Sequence, residues 1–377
     1  MPLILIATIV VSILAHSFIP YEAKSFIYAL SLTAKSMVLF ILPFVIFGLL
    51  FKTFARLRDQ AASVFFLIFG GLCASNFFNA SAAGYVGSLL YNLNLNLAPI
   101  PDVSVPLEPY FTFLIPSVVK NEFALFGGIA AGLIAAAYNK KLAFLIAEKT
   151  DFILNKLFSI ISLLIPPFIM GFVLKCASDG NLEFIIKNYS QILLIFFAYA
   201  LFYIAALYLI VNKFSIRETL LCVKNMLPAW LVAFSSASSA LAMPVTILSA
   251  QKNAKNKELA GSVISITANI HLIGDCLFIP TIAYAILKNY GIEEPSLITY
   301  LAFAVFFVIA KFSVAAVPAG GIIVMVPILE KYLSFSPDMS TLIIAIYAIF
   351  DPIITGFNVL GNGAFAKLID NIKGKMR

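Results

Sequence analysis

Charged residues are scarce in this chain of 377 residues. Only 11% of the residues are charged and 62% are hydrophobic, and the mean hydropathy is +1.02, whereas about a quarter of the residues in a soluble domain are charged. A soluble fold could not cover so much apolar surface. The composition therefore excludes a soluble enzyme, a nucleic-acid-binding protein and a disordered chain, and it predicts a polytopic membrane protein.

Arginine and paired cysteines are also lacking. The sequence contains no arginine between Glu218 and Met376, which excludes a bidentate arginine clamp for a carboxylate from that half of the chain. The cysteines show no paired spacing and are interpreted as small apolar filler in helices. They are Cys73, Cys176, Cys222 and Cys276.

Long apolar stretches are what the sequence does contain. They run near 20 residues, which favours transmembrane helices over barrel strands of about 10 residues. The first stretch has neither a basic leading segment nor a small-residue cleavage site, so we expect it to be retained as a span. The predicted spans are 2–19, 27–51, 62–91, 123–138, 152–175, 190–212, 259–287 and 339–366.

Two further apolar stretches, 226–250 and 298–333, are interrupted in the middle. A serine run at 235–239 interrupts the first, and a Pro-Ala-Gly-Gly segment at 318–321 interrupts the second. A backbone broken at membrane depth must be buried in protein or line a cavity, and paired interrupted segments mark transporter binding sites. We expect two re-entrant hairpins; two ordinary spans kinked by proline are the alternative.

The net charge of +7 lies mainly in alternate loops. Lysine and arginine follow the second, fourth and sixth predicted spans and precede the seventh, and they recur after the eighth. This pattern predicts eight spans in the plasma (inner) membrane with both termini in the cytoplasm.

Ionisable residues within apolar stretches are expensive in a bilayer and usually have a function. Asp275, Lys311, Asp351 and His271 are such residues. His271 and Asp275 are spaced i, i+4, which predicts that they share one helix face. The alternatives are a purely structural Asp275–Lys311 ion pair and a neutral His271 bonded to a backbone carbonyl.

The last predicted span carries a polar face. Asp351, Thr355, Asn358 and Asn362 lie on adjacent turns. Oxygen and amide groups on one face of a buried helix suit a hydrophilic solute or a hard cation.

Ordered motifs in the C-terminal half resemble those of a known family, the dicarboxylate/amino-acid:cation symporters, which include glutamate and aspartate transporters. The segment 233–246 resembles that family's serine-rich first hairpin. The segment 317–321 resembles the tip of its second hairpin, and 351–362 resembles its eighth helix. The segment 41–47 resembles its second span.

The resemblance implies an all-α polytopic membrane protein with eight transmembrane helices, two re-entrant helical hairpins and inverted repeats. It implies a homotrimer in which residues 1–215 are mainly scaffold and trimerisation spans, with some packing on the transport core. Residues 216–377 would form that transport core, which would carry solute by an elevator movement with the second hairpin as gate. A transporter, not an enzyme, is expected.

The resemblance also implies the site residues. Those expected to bind substrate are Ser238, Ser239, Asp275, Val317, Pro318, Asp351, Ile354, Thr355 and Asn358. Those expected to hold a cation or to serve coupling are Thr267, Asn269, His271, Lys311, Asn358 and Asn362. No cofactor or fixed metal is expected, with Na⁺ or H⁺ as the coupling ion.

Departures from the family pattern alter this expectation. Ile354 replaces the arginine that clamps an acidic side chain, and Ile273 and Asn362 replace two sodium-binding aspartates. Losing two carboxylates removes most of the charge that neutralises buried Na⁺. Lys311 falls near another sodium site, so we hypothesise that its ammonium is a tethered substitute for one cation, with coupling absent or carried by protons.

The sequence therefore predicts an elevator-type secondary transporter of a small amino acid or related carboxylate, with a neutral amino acid favoured. The solute's amino group would lie on Asp351, its carboxylate near Ser239 and its apolar side chain against Ile354. The alternatives are a Na⁺-coupled carrier of dicarboxylates or acidic amino acids, and a family member that binds solute without transporting it. An intramembrane serine protease lacks the required GxSxG motif near the serine run, and an ion channel lacks a filter-like repeat.

Overall fold

Helices provide the regular structure in the computed structural model, which describes residues 2–56, 62–93, 107–116, 118–119, 121–179, 181–314 and 320–375. The helices are α1 (Pro2–Ala15), α2 (Tyr21–Arg56), α3 (Ala62–Asn92), α4 (Asn121–Tyr138), α5 (Lys140–Ser178), α6 (Asn181–Val211), α7 (Ile216–Ser236), α8 (Ser239–Asn253), α9 (Lys257–Thr267), α10 (Ile273–Asn289), α11 (Leu297–Lys311), α12 (Gly320–Leu333) and α13 (Pro337–Lys375).

Five helices within the described ranges are long and apolar enough to cross a membrane. Four of them coincide with predicted spans, and the other is α7, the first arm of the first interrupted stretch. The helical character is thereby confirmed, while the count of eight spans stays a prediction. These segments are Tyr21–Lys52, Lys141–Ser178, Tyr189–Val211, Ile216–Ser236 and Pro337–Lys373.

The helices pack as two groups. In the peripheral group, α2 packs against α4 and α5, and α1 packs against α5. In the central group, α3 packs against α10 and α11, α6 packs against α10 and α13, and α13 also contacts the helices α7, α8, α9 and α12. The helices α3 and α6, which belong to the predicted scaffold half, thus pack on the C-terminal core. The two groups also touch each other where α5 meets α6, α1 meets α13 and α2 meets α12.

The centre of the molecule is formed by α10 and α13. Every residue of α10 from Ile273 to Leu287 is buried, and a helix that is apolar on all sides belongs in the interior. The helix α3 can approach α11 closely because Gly84 of α3 has no side chain. A Cβ at that position would collide with the Tyr300 ring of α11. Tyr300 in turn donates a hydrogen bond to the Ala80 carbonyl.

The first interrupted stretch forms a helical hairpin, α7–α8, which we call hairpin 1. The chain reverses at Ala237, whose backbone is left-handed with φ 46° and ψ 38°. Ser238 then caps α8, because its Oγ accepts a hydrogen bond from the Leu241 N–H at 3.4 Å. Serine is a favoured helix N-cap, so the serine run both ends one arm and starts the next.

The second interrupted stretch gives α11 and α12, which we call hairpin 2. Lys311 ends the first arm and Gly320 begins the second. The predicted tip residues Val317 and Pro318 lie outside the described residues.

The predicted span 259–287 is not one continuous helix, and here the expectation was wrong. The structure ends α9 at Thr267 and starts α10 at Ile273. The carbonyls released by this break are bonded by side-chain amides: Asn76 Nδ2 donates to the Ile270 carbonyl at 2.9 Å, and Asn362 Nδ2 donates to the His271 carbonyl at 3.1 Å. A broken backbone at membrane depth is stable only with such partners.

Candidate functional site

A cavity lies where the tip of hairpin 1, the start of α10, hairpin 2 and the middle of α13 converge. Its volume is about 30 Å³, which is room for one or two waters and too little for a solute of amino-acid size. The lining residues are Ala237, Ser238, Ser239, Asn269, Leu272, Asp275, Val314, Gly321, Tyr347, Asp351, Thr355 and Asn358.

Asp275 is bonded by three side chains from two other elements. Its Oδ2 accepts from Lys311 Nζ at 2.8 Å, and its Oδ1 accepts from the Tyr347 hydroxyl at 3.0 Å and from Asn358 Nδ2 at 3.2 Å. The Asp275 N–H also donates to Asn358 Oδ1 at 3.3 Å. These contacts join α10 to both hairpin 2 and α13.

The Asp275–Lys311 ion pair is fully removed from solvent. The side chains are 1% and 0% exposed, respectively, and the Lys311 ammonium also lies 4.6 Å from the centre of the Phe307 ring. Burying either charge alone would cost several kcal/mol, so each requires the other. The structure thus contains the Asp275–Lys311 ion pair that the sequence left as an alternative.

A second carboxylate, Asp351, lines the cavity from α13. The Thr355 hydroxyl, one turn further on, donates to Asp351 Oδ1 at 3.1 Å. Asp351 and Thr355 are each 5% exposed. This carboxylate can accept hydrogen bonds from an ammonium group inside the cavity.

The N-terminus of α8 meets the same cavity through Ser238 and Ser239. The first N–H groups of a helix have no partner within the helix and carry partial positive charge. They suit a carboxylate or another anion. The cavity therefore offers an anion-binding helix end and a cation-binding carboxylate.

Gly321, near the start of α12, closes the cavity on the side of hairpin 2. A Cβ at this position would collide with the Tyr347 hydroxyl and would lie 2.5 Å from Asp275 Oδ2. Only glycine allows α12 to approach the bonded carboxylate this closely. Hairpin 2 therefore contacts the Asp275 carboxylate through both of its arms.

Ile354 does not line the cavity, contrary to the expectation that it faces the solute. Its side chain is 0% exposed, and its carbonyl oxygen lies against Gly274. Ile354 lies at the edge of the same α13 face, three residues after Asp351 and four before Asn358. The α13 backbone packs there against Gly274 of α10, so Ile354 is buried by helix packing and does not reach the cavity.

His271 is not on one helix face with Asp275, so that prediction was also wrong. It lies in the break before α10, where its Nε2 is 2.8 Å from Ser75 Oγ. Its ring packs at 4.4 Å from the Phe365 ring. The partner of this buried histidine side chain is a hydroxyl of α3 and not a backbone carbonyl.

The other residues predicted to hold a cation lie near the α9–α10 break. Asn269 lines the cavity, whereas Thr267 and Asn362 do not. The Thr267 hydroxyl donates to the Val263 carbonyl at 2.9 Å. The Oδ1 atoms of Asn269 and Asn362 accept no hydrogen bond from the described residues.

The structure thus brings together much of the predicted set and adds residues that the sequence did not single out. The predicted residues around the cavity are Ser238, Ser239, Asn269, Asp275, Asp351, Thr355 and Asn358. The added residues with the clearest contacts are Tyr347 and Gly321. Tyr347 could have been found from its spacing, because it precedes Asp351 by one helical turn.

Comparisons with known proteins agree with this architecture. A sequence model described as the "Sodium:dicarboxylate symporter family" matches residues 1–372. Excitatory amino acid transporter 5 of Homo sapiens is 27% identical over 177 residues, which is 46% of this chain and 30% of that protein.

Two further relatives are also similar to part of this chain. Excitatory amino acid transporter 1 of Ambystoma tigrinum is 27% identical over 151 residues, 39% of this chain and 27% of that protein. The Rattus norvegicus transporter of that name is 25% identical over 177 residues, 46% of this chain and 31% of that protein. The matched segments span less than a third of these relatives.

Proposed function

The chain belongs to the sodium:dicarboxylate symporter family, and we propose that it is a secondary transporter that carries a small amino acid through the cavity beside Asp275 and Asp351. The observation that carries this proposal is the cavity itself. Two carboxylates, amides, hydroxyls and a helix N-terminus converge there from both hairpins, α10 and α13.

A neutral amino acid fits the charges best. Its ammonium group would be held by Asp351, and its carboxylate by the N–H groups at the start of α8 near Ser239. No arginine is among the described residues that line the cavity. The nearby base, Lys311, is already paired with Asp275 at 2.8 Å.

A carrier of dicarboxylates or acidic amino acids is the second candidate. The family description and the names of the relatives favour it. Such a solute has a second carboxylate, which would have to draw Lys311 away from Asp275 and leave that buried aspartate without its counter-charge.

Coupling is proposed to use protons or to be absent. Ile273 and Asn362 stand where the family carries sodium-binding aspartates, and the Lys311 ammonium supplies a resident positive charge next to Asp275. Asp275 and the Ser75-bonded His271 are the groups that a proton pathway would use.

The movement is proposed to be of the elevator type within a homotrimer, with both termini in the cytoplasm. The central group would slide along the peripheral group, with hairpin 2 as gate. The packing of the helices into two groups supports this proposal.

Uptake into proteoliposomes tests the function. We expect saturable accumulation of radiolabelled L-alanine that exceeds uptake of L-aspartate and of succinate, and that persists when choline replaces Na⁺. The variant Asp351→Asn should abolish this uptake, because it removes the charge that holds the ammonium group.

Two other outcomes would support the alternative functions. Uptake of aspartate or succinate with a strict Na⁺ requirement would support the dicarboxylate candidate. Saturable binding of L-alanine to purified protein without uptake would mean a solute-binding protein that does not transport.

A further inference from the structure

The peripheral and central groups meet along an apolar seam. Two cavities lie in it, and both are lined from the two groups by aliphatic and aromatic side chains. Apolar contacts have no preferred direction, so one group can shift along the other without breaking hydrogen bonds. Side chains that face each other across the seam are Val38, Ile165 and Phe168 against Ile323, Val326 and Ile344.

Three polar residues, Lys35, Ser313 and Lys331, also line these cavities, and Lys35 makes hydrogen bonds across the seam. From α2, its Nζ donates to Thr341 Oγ1 at 2.7 Å and to the Pro337 carbonyl at 3.1 Å, both in the first two turns of α13. These two hydrogen bonds join the peripheral group to the central group.

Charge on the central side favours this contact. Glu330 and Asp338 are near enough to attract the Lys35 ammonium, and Glu330 is itself held by the Ser340 hydroxyl at 3.0 Å. These carboxylates offset the partial positive charge at the start of α13, which alone would repel a cation. Lys35 is therefore hydrogen-bonded to a hydroxyl and a backbone carbonyl of the central group and is attracted by two of its carboxylates.

The helix α13 joins this contact to the solute cavity. Asp351 follows Thr341 by ten residues on the same helix, which is a distance of about 15 Å along its axis. A displacement of α13 by one helical turn, about 5.4 Å, would separate Thr341 from Lys35. The contact can exist in only one position of the two groups.

We propose that the Lys35–Thr341 contact is a latch that sets the resting position of the central group. This inference rests on the proposed elevator function. Loss of a hydrogen bond to a charged group changes an equilibrium by roughly tenfold or more, so breaking the latch shifts the ratio of the two positions by about that factor. Lys35 thereby controls the conformational step and not the affinity of the cavity.

Pulsed electron spin resonance distances in the full-length protein, reconstituted in lipid, test the latch. Spin labels are attached at Glu22→Cys on α2 and Glu293→Cys after α10, in a background where the native cysteines are replaced by alanine. Glu22 and Glu293 are both exposed. We expect one dominant distance with Lys35 and Thr341 intact.

The variants Lys35→Met and Thr341→Val should each raise the ratio of the second distance to the original distance by about tenfold. The double variant should shift no further than Lys35→Met alone, because Lys35→Met already removes the bond to Thr341 together with the bond to the Pro337 carbonyl. Thr33→Val is the matched control, since the Thr33 hydroxyl donates to the Ala29 carbonyl in its own helix, and it should keep the original distances.

An unchanged distribution in both single variants, or shifts that add, would overturn the latch. L-alanine uptake by the same variants separates this proposal from the transport proposal. A shift in distances without uptake would support the latch and contradict transport. Uptake without a shift in distances would support transport and contradict the latch.

Discussion

At the scale of single residues, Asp275 organises the cavity because it accepts hydrogen bonds from Lys311, Tyr347 and Asn358. Both carboxylate oxygens are bonded, and the only cation among these three donors comes from hairpin 2. Breaking a buried pair by removing one partner costs more than the pair contributes, because the remaining charge stays buried.

Lys311→Ala should therefore lower stability by about 3–5 kcal/mol. If Lys311 substitutes for a bound cation, methylammonium or Na⁺ should restore much of the loss, while the bulkier choline should not. Thermal unfolding of the purified protein, with and without each cation, measures this.

Two controls sharpen that test. Lys331→Ala removes an exposed lysine of the same hairpin and should change little. The double variant Asp275→Asn/Lys311→Met removes both charges and should be more stable than Lys311→Ala. Equal melting of Lys311→Ala and the unmodified protein would contradict the cation role.

At the scale of elements, the α9–α10 break positions the site. It allows α10 to begin at Ile273, which places Asp275 in its first turn, where a negative charge is favoured. The break is supported from outside by Asn76 of α3 and Asn362 of α13. Sequence periodicity could not reveal it, because the residues that stabilise it are far away in the chain.

Asn76→Leu should lower stability by about 1–3 kcal/mol, since the Ile270 carbonyl would lose its buried partner. Thermal unfolding again provides the measurement. Asn92→Leu on the same helix serves as the control, because Asn92 is exposed. Equal effects of the two substitutions would argue against a special role for the break.

At the scale of the whole molecule, two helix groups meet along a seam that is mostly apolar. Ala310 of α11 lines one of the seam cavities together with Phe126 of α4. A larger side chain there would fill space that the sliding surfaces need.

Ala310→Phe should therefore reduce the maximal rate of L-alanine uptake severalfold with little change in KM. Val305→Phe is the control, because Val305 lies on α11 but is exposed on the outer surface. Uptake kinetics in proteoliposomes measure both. A raised KM at an unchanged maximal rate would place the effect in the solute cavity instead.

The sequence by itself determined the membrane class, the two interrupted stretches and the polar residues of the last helix, because composition, helical spacing and turn-forming residues are local properties. Only the tertiary structure decided that Lys311 pairs with Asp275, that His271 bonds to Ser75 and that Ile354 is kept from the cavity. It also decided that α3 and α6 join the C-terminal core. Each of these facts depends on which distant elements pack together, and a buried charge or amide takes its partner from whatever that packing brings within bonding distance.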